Sequence, residues 1–172
     1  MASALGAFER IVRQAHLFSD EDASVGPGLH PFERRGIFEA LPKLVQNLFD
    51  NGHYAQATFE AFKFLDREVA RVANSSETGK SLMMKAFAEA PPHIKLTPLT
   101  SESDKSEQEG LKFIFAGSMM AIRNPRGHEF DVADTIDDCL DHLALLSMLL
   151  RRLEAAGHTI QGNKNHTQLG NR

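Results

Sequence analysis

The most regular pattern in the chain runs from residue 53 to 73, "HYAQATFEAFKFLDREVARVA". Tyr54, Ala57, Ala61, Leu65, Val69 and Val72 recur at steps of three and four, the repeat of one buried helix face. Gln56, Glu60, Lys63 and Arg67 share another face. The segment predicts an amphipathic helix that ends at Asn74-Ser75-Ser76. A second long pattern covers 131–156. Val132, Ile136, Leu140, Leu143, Leu146, Leu150 and Leu153 form its apolar stripe. Asp134, Asp137, Asp138 and Asp141 load its first half, and Arg151 and Arg152 its end, which are the signs a helix dipole favours.

Shorter patterns fill the rest. A helix is expected at 79–88, and another from Lys105, with Phe113, Gly117, Met120 and Asn124 in one stripe beside Ile114, Ala121 and Ile122. Pro125 disfavours helical geometry at the residue before it, so a boundary is expected at Asn124. "FERRGIFEALPKLVQNLFDNG" (32–52) reads as helix with a break or kink near Pro42 and a stop at Asn51-Gly52. Residues 5–17 predict a short amphipathic helix. Residues 19–31, acidic and rich in Gly and Pro, predict a linker, and 91–104, with three prolines, irregular chain. With long helical patterns and no clear strand pair, the expectation is an all-α helical bundle. The expected organisation is an N-terminal helix and linker (1–31), a helical domain (32–156) and a flexible tail (157–172).

Composition narrows the functional classes. The chain has 172 residues, enough for one domain with an ordinary core. A net charge of −4 argues against tight, non-selective nucleic-acid binding through a basic surface. The single cysteine, Cys139, excludes an internal disulfide framework and points to a reducing compartment. Met1 to Ala7 lacks the basic start and long apolar run of a signal peptide, and "LALLSMLL" (143–150) is too short to span a bilayer. A cytoplasmic protein without membrane association is expected.

Most candidate motifs have a plain structural meaning. "ETGKSL" (77–82) ends like a phosphate-binding loop, but Asn74 stands where that loop needs glycine, and no strand precedes it. Cys139 and His142 are one turn apart, yet Asp137, Asp138 and Asp141 around them disfavour a thiolate, so Cys139 reads as a packed residue. The eight histidines show no zinc-protease spacing, and neither a metal nor another cofactor is expected.

"AIRNPRGHEF" (121–130) is different. It sets Arg123, Asn124, Arg126 and His128 around a proline and a glycine. A guanidinium can grip phosphate oxygens, and an imidazole can move a proton near neutral pH. RNA carries its own nucleophile in the ribose 2′-hydroxyl. Side chains five apart diverge on an unbroken helix, whereas a break at Pro125 would let Arg123 and His128 converge. On spacing alone a capped corner is the more frequent meaning, with the arginines over helix-end carbonyls and His128 capping the next helix.

The motif resembles that of HEPN-domain ribonucleases, in which an arginine and a polar residue precede a histidine by a few positions. Arg123-Asn124-Pro125-Arg126-Gly127-His128 fits that form. The chain is similar still more closely to the Ymh-type conserved bacterial proteins, a HEPN-like group. That resemblance rests on "LFDNGHYAQATFEAFKFLDREV" (48–69), "GLKFIFAGSMMAIRNPRGHE" (110–129) and "LDHLALLSMLLRRLE" (140–154).

The resemblance implies a HEPN-like helical bundle, homodimeric, with two motifs facing across a cleft. It implies metal-independent RNA cleavage in phage defence or a toxin–antitoxin system, with an antitoxin or a defence complex as partner. Arg123 would hold the scissile phosphate and Asn124 would orient it or the motif. His128 would act as general base or acid, its two copies dividing the roles. Arg126 would add a phosphate contact, and Glu60 or Lys63 a polar helix residue near the site. The alternative is a non-catalytic HEPN-like dimerisation or adaptor module.

Overall fold

The computed structural model describes residues 28–88, 92–128 and 132–162. The chain divides into two compact units, Met1–Gly36 and Ile37–Arg172. The helix expected at 5–17 and most of the linker expected at 19–31 lie outside the described residues. In the first unit, Pro31 opens a single helical turn, α1 (Pro31–Arg34), and His30 Nδ1 accepts a hydrogen bond from the Phe32 N–H at 3.1 Å.

In the second unit every regular element among the described residues is helical. The helix expected to bend at Pro42 is interrupted altogether: residues 35–42 are non-helical, and Pro42 is the N-cap of α2 (Lys43–Asp50). Proline has no N–H to give a preceding turn, which favours a helix start at this place. Gly52, at φ +78°, ends α2 as Asn51-Gly52 predicts. Helix α3 (Tyr54–Ala73) matches its pattern closely, and Asn74 closes it in left-handed geometry at φ 50°. Next come α4 (Gly79–Ala86) and α5 (Glu102–Ser118). A π-helical turn (Met119–Arg123) follows, then α6 (Asn124–His128) and α7 (Ile136–Ala155). None of these helices is long and apolar enough to cross a membrane.

Capping chemistry sets two helix starts. Ser101 and Asp104 form a capping box that begins α5 three residues before the expected Lys105. Thr135 and Asp138 do the same for α7, so Val132 and Asp134 fall before the helix. Helix α3 lies at the centre, packed on α2, α4, α6, α7 and the π turn. Phe62, Leu65, Leu143, Leu146 and Leu150 are fully buried there. Each such side chain contributes roughly 1.5–3 kcal/mol by leaving water. Around Phe87 and Phe115 the rings meet at 4.4 Å between centroids.

Two expectations need correction. In the stripe Phe113, Gly117, Met120 and Asn124, and in Ile114, Ala121 and Ile122 beside it, no residue is buried; Leu111, Phe115, Ala116 and Met119 fill the core face of this stretch. The chain after α7, expected as flexible, is anchored as far as residue 162. Ile160 is buried, the Gln161 N–H donates to Glu68 Oε2 at 2.8 Å, and Arg71 Nη2 donates to the Thr159 carbonyl at 2.6 Å. Residues 163–172 lie outside the described residues. The stretch 92–100 is irregular, as expected, and the buried Gln108 side chain bonds to its backbone. Gln108 donates to the carbonyls of Phe87 and Ile94 and accepts from the Leu96 N–H.

Candidate functional site

Pro125 does not break the chain. Asn124 has φ −66° and ψ −45°, and helical geometry continues to His128. A proline ring crowds the carbonyl one turn back and leaves that carbonyl without its donor. The π turn just ahead widens the backbone, with the Asn124 N–H donating to the Met119 carbonyl five residues back, and makes room for the proline. The expected boundary at Asn124 is therefore absent. Arg123 and His128 do not converge through a kink; they meet two different parts of α3.

Arg123 lies against Phe59, its Cζ 5.6 Å from the ring centroid. Lys63 Nζ is 5.7 Å from the same centroid and pairs with the Glu60 carboxylate at 2.8 and 3.1 Å. Arg123 Nη1 donates to Asn124 Oδ1 at 3.2 Å, and its Nε is buried without a hydrogen-bond partner among the described residues. Among those residues Arg123 has no carboxylate partner. Gly127 presses on the same ring: a Cβ there would stand 2.7 Å from Phe59 Cε2. The structure thus gathers Arg123, Asn124, Glu60 and Lys63 around one phenyl ring. Phe59 itself escaped the sequence reading, although an aromatic amid the polar positions Gln56, Glu60 and Lys63 was a usable signal.

Arg126 is placed otherwise. Its Nε and Nη2 donate to the two Asp134 oxygens at 2.7 and 2.5 Å, and its Nη1 donates to the Ile122 carbonyl at 2.8 Å. Both side chains are nearly out of water, at 9 % and 4 % exposure. Nη2 also approaches His142 Nδ1 at 3.4 Å. The same ring nitrogen lies 3.8 Å from Asp134 Oδ2, so its role follows the protonation of the ring. Burial, and next the Arg126 charge, hold the His142 pKa below its ordinary value, though Asp134, Asp138 and Asp141 pull it up. Arg126 is committed to locking α6 onto the segment before α7, which leaves little of it for a phosphate.

His128 is exposed and opens onto a cleft of about 450 Å³. His53, Tyr54 and Gln56, at the start of α3, line its other side, with Arg126 and Asp134 also contributing. His53 is exposed too. Arg123, Glu60 and Lys63 do not line this cleft; the contact between Gly127 and Phe59 joins the two regions.

The remaining motifs are structural. Gly79, at φ +62°, donates its N–H to the buried Asp66 carboxylate at 2.7 Å, so "ETGKSL" is a helix start held by α3. Cys139 is fully buried, and burial raises its pKa, which disfavours a reactive thiolate. Among the described residues no three His, Cys, Asp or Glu side chains gather as a metal site would need.

No curated protein and no solved structure matches the chain. A family model does, across residues 35–153, which span α2 to nearly the end of α7 and the whole Arg123–His128 region. The chain belongs to the Hypoth_ymh family, described as proteins of unknown function.

Proposed function

We propose that this protein is a HEPN-like, metal-independent endoribonuclease that acts as a homodimer in phage defence or under the control of an antitoxin. One observation carries the reading. The motif offers a guanidinium with no carboxylate partner among the described residues, Arg123, and an exposed imidazole, His128, joined by the packing of Gly127 on Phe59. A structural corner would bury the histidine or pair the arginine, as happens at Arg126. In this reading Arg123 supplies the positive charge that holds the RNA phosphate backbone beside His128 and offsets the charge of the scissile phosphate, and Asn124, hydrogen-bonded to it, sets its direction. His128 accepts the 2′-hydroxyl proton or supplies one to the leaving oxygen. Lys63 adds positive potential beside the same ring, tempered by Glu60.

The exposed Phe113, Ile114 and Met120 lie on the stretch that leads into Arg123, and a second copy covering them would bring two motifs near one another. The same face also serves the second reading, a non-catalytic dimerisation module. RNA cleavage in excess EDTA separates the two. Cleavage that leaves cyclic-phosphate ends and is lost in both Arg123→Ala and His128→Ala is expected. Equal behaviour of all three proteins would reject the nuclease.

A further inference from the structure

The cleft holds a second imidazole that the motif does not account for. His53, at the start of α3, and His128, at the end of α6, are far apart in sequence, yet they line one cleft of about 450 Å³. That is within the range that takes a nucleotide-sized ligand. Both imidazoles are exposed, and neither has a hydrogen-bond partner among the described residues. The backbone of His53 is tied at both ends of its peptide. The His53 N–H donates to the Leu48 carbonyl at 2.8 Å, and its own carbonyl accepts from the Ala57 N–H at 2.9 Å. His128 follows Gly127, which lies so near Phe59 that a Cβ would stand 2.7 Å from the ring. Among the described residues, the other charged side chains lining the cleft, Arg126 and Asp134, neutralise one another. Among the described lining residues, attraction for an anion within this cleft therefore falls to the two histidines, and Arg123, on the far side of Gly127 at Phe59, adds its charge from outside the cleft.

We propose that His53 and His128 of the same chain form one two-imidazole phosphate site, which makes His53 the second proton-transfer residue of RNA cleavage. The catalytic part rests on the endoribonuclease reading. One imidazole takes the proton from the 2′-hydroxyl as that oxygen bonds to phosphorus. The other, as imidazolium, gives its proton to the departing 5′-oxygen as the P–O bond breaks. The products are a 2′,3′-cyclic phosphate and a free 5′-hydroxyl, and no water or further reactant is consumed. Both protons are then handled within one protomer, without a second copy of His128.

The test follows the imidazole proton NMR signals of the full chain during titration with uridine 3′-monophosphate, with His53→Gln and His128→Gln used to assign the signals. Signals from His53 and His128 should move along one binding curve, and either variant should weaken binding at least about tenfold. Each variant should also slow RNA cleavage by about 10²-fold or more, the usual worth of a positioned acid or base. A His53 signal that stays still while His128 moves overturns the proposal, as does a His53→Gln variant that cleaves like the wild type. Activity restored by mixing the two variants would place the pair across a dimer interface and overturn the same-chain assignment. If the wild type cleaves no RNA while both signals move together, the nuclease reading fails and the two-imidazole phosphate site stands.

Discussion

Arg123 and Arg126 are the same residue type, three positions apart on adjoining helical segments, and the fold uses them oppositely. Arg126 is almost fully buried, bidentate to Asp134 and bonded to a backbone carbonyl. Arg123 lies over an aromatic ring with only a side-chain amide as hydrogen-bond partner among the described residues. The lesson concerns desolvation. A buried guanidinium must have its charge answered by the protein, so it is no longer available to a ligand. A guanidinium over a ring is not neutralised by that ring, so its charge stays available to a ligand.

The contrast can be tested hardest at Arg126. Arg126→Ala should destabilise the fold by about 3–5 kcal/mol, since it strands the Asp134 carboxylate out of water. Urea unfolding would report this as a lower midpoint at unchanged slope. The double replacement Arg126→Met with Asp134→Leu should recover most of the loss. A wild-type midpoint in Arg126→Ala would mean that the pair is not structural.

The converse holds at Arg123. Arg123→Ala should lower RNA cleavage by about 10²–10³-fold, the loss expected when one charge-stabilising donor is removed. Its free energy of unfolding should fall by no more than about 2 kcal/mol, less than that of Arg126→Ala. If stability falls and cleavage does not, the two arginines have been assigned the wrong way round.

Gly127→Ala probes the joint between the two regions. The new methyl meets Phe59 Cε2, and overpacking of this kind costs about 1–3 kcal/mol. Adding Phe59→Leu should relieve part of that cost, and a double-mutant cycle in urea would measure the coupling.

The smallest effect sharpens the Arg126 side. The folded-state pKa of His142 is lowered, first by burial and then by Arg126. The unfolded chain therefore takes up the proton at higher pH than the folded one. This contribution to stability is complete above the unfolded value of about 6.5 and is lost as pH falls from there through the folded value. His142→Gln should flatten the pH dependence of the urea midpoint in that window and leave it nearly unchanged at higher pH.

Much of the helical framework was legible. The repeats in 53–73 and 131–156 gave α3 and α7, because a buried face must recur every three to four residues. Asn74 and Gly52 marked helix ends through backbone geometry that few residues adopt. The π turn was not legible: Pro125 signals trouble for a helix, but whether the chain stops or widens depends on how firmly its surroundings hold the helix together. The outward stripe at Phe113, Ile114 and Met120 misled for a related reason, since this stretch has two apolar faces and periodicity cannot choose which one meets α4. At the candidate site, Arg123 and His128 stood out by residue type alone, whereas Phe59 and His53 acquired meaning only once α3 was packed beside α6.

By itself, the sequence determined the helical class, the principal repeats and the short stretch in which an arginine and a histidine stand together. Tertiary structure alone decided which arginine is committed to an ion pair, which ring supports the other, and which second histidine shares the cleft. The physical reason is range. Periodicity and caps act within a turn or two of backbone, so they are written locally. A guanidinium's availability depends on whether a carboxylate reaches it and on how much water remains, and both follow from packing elements that are distant in the chain.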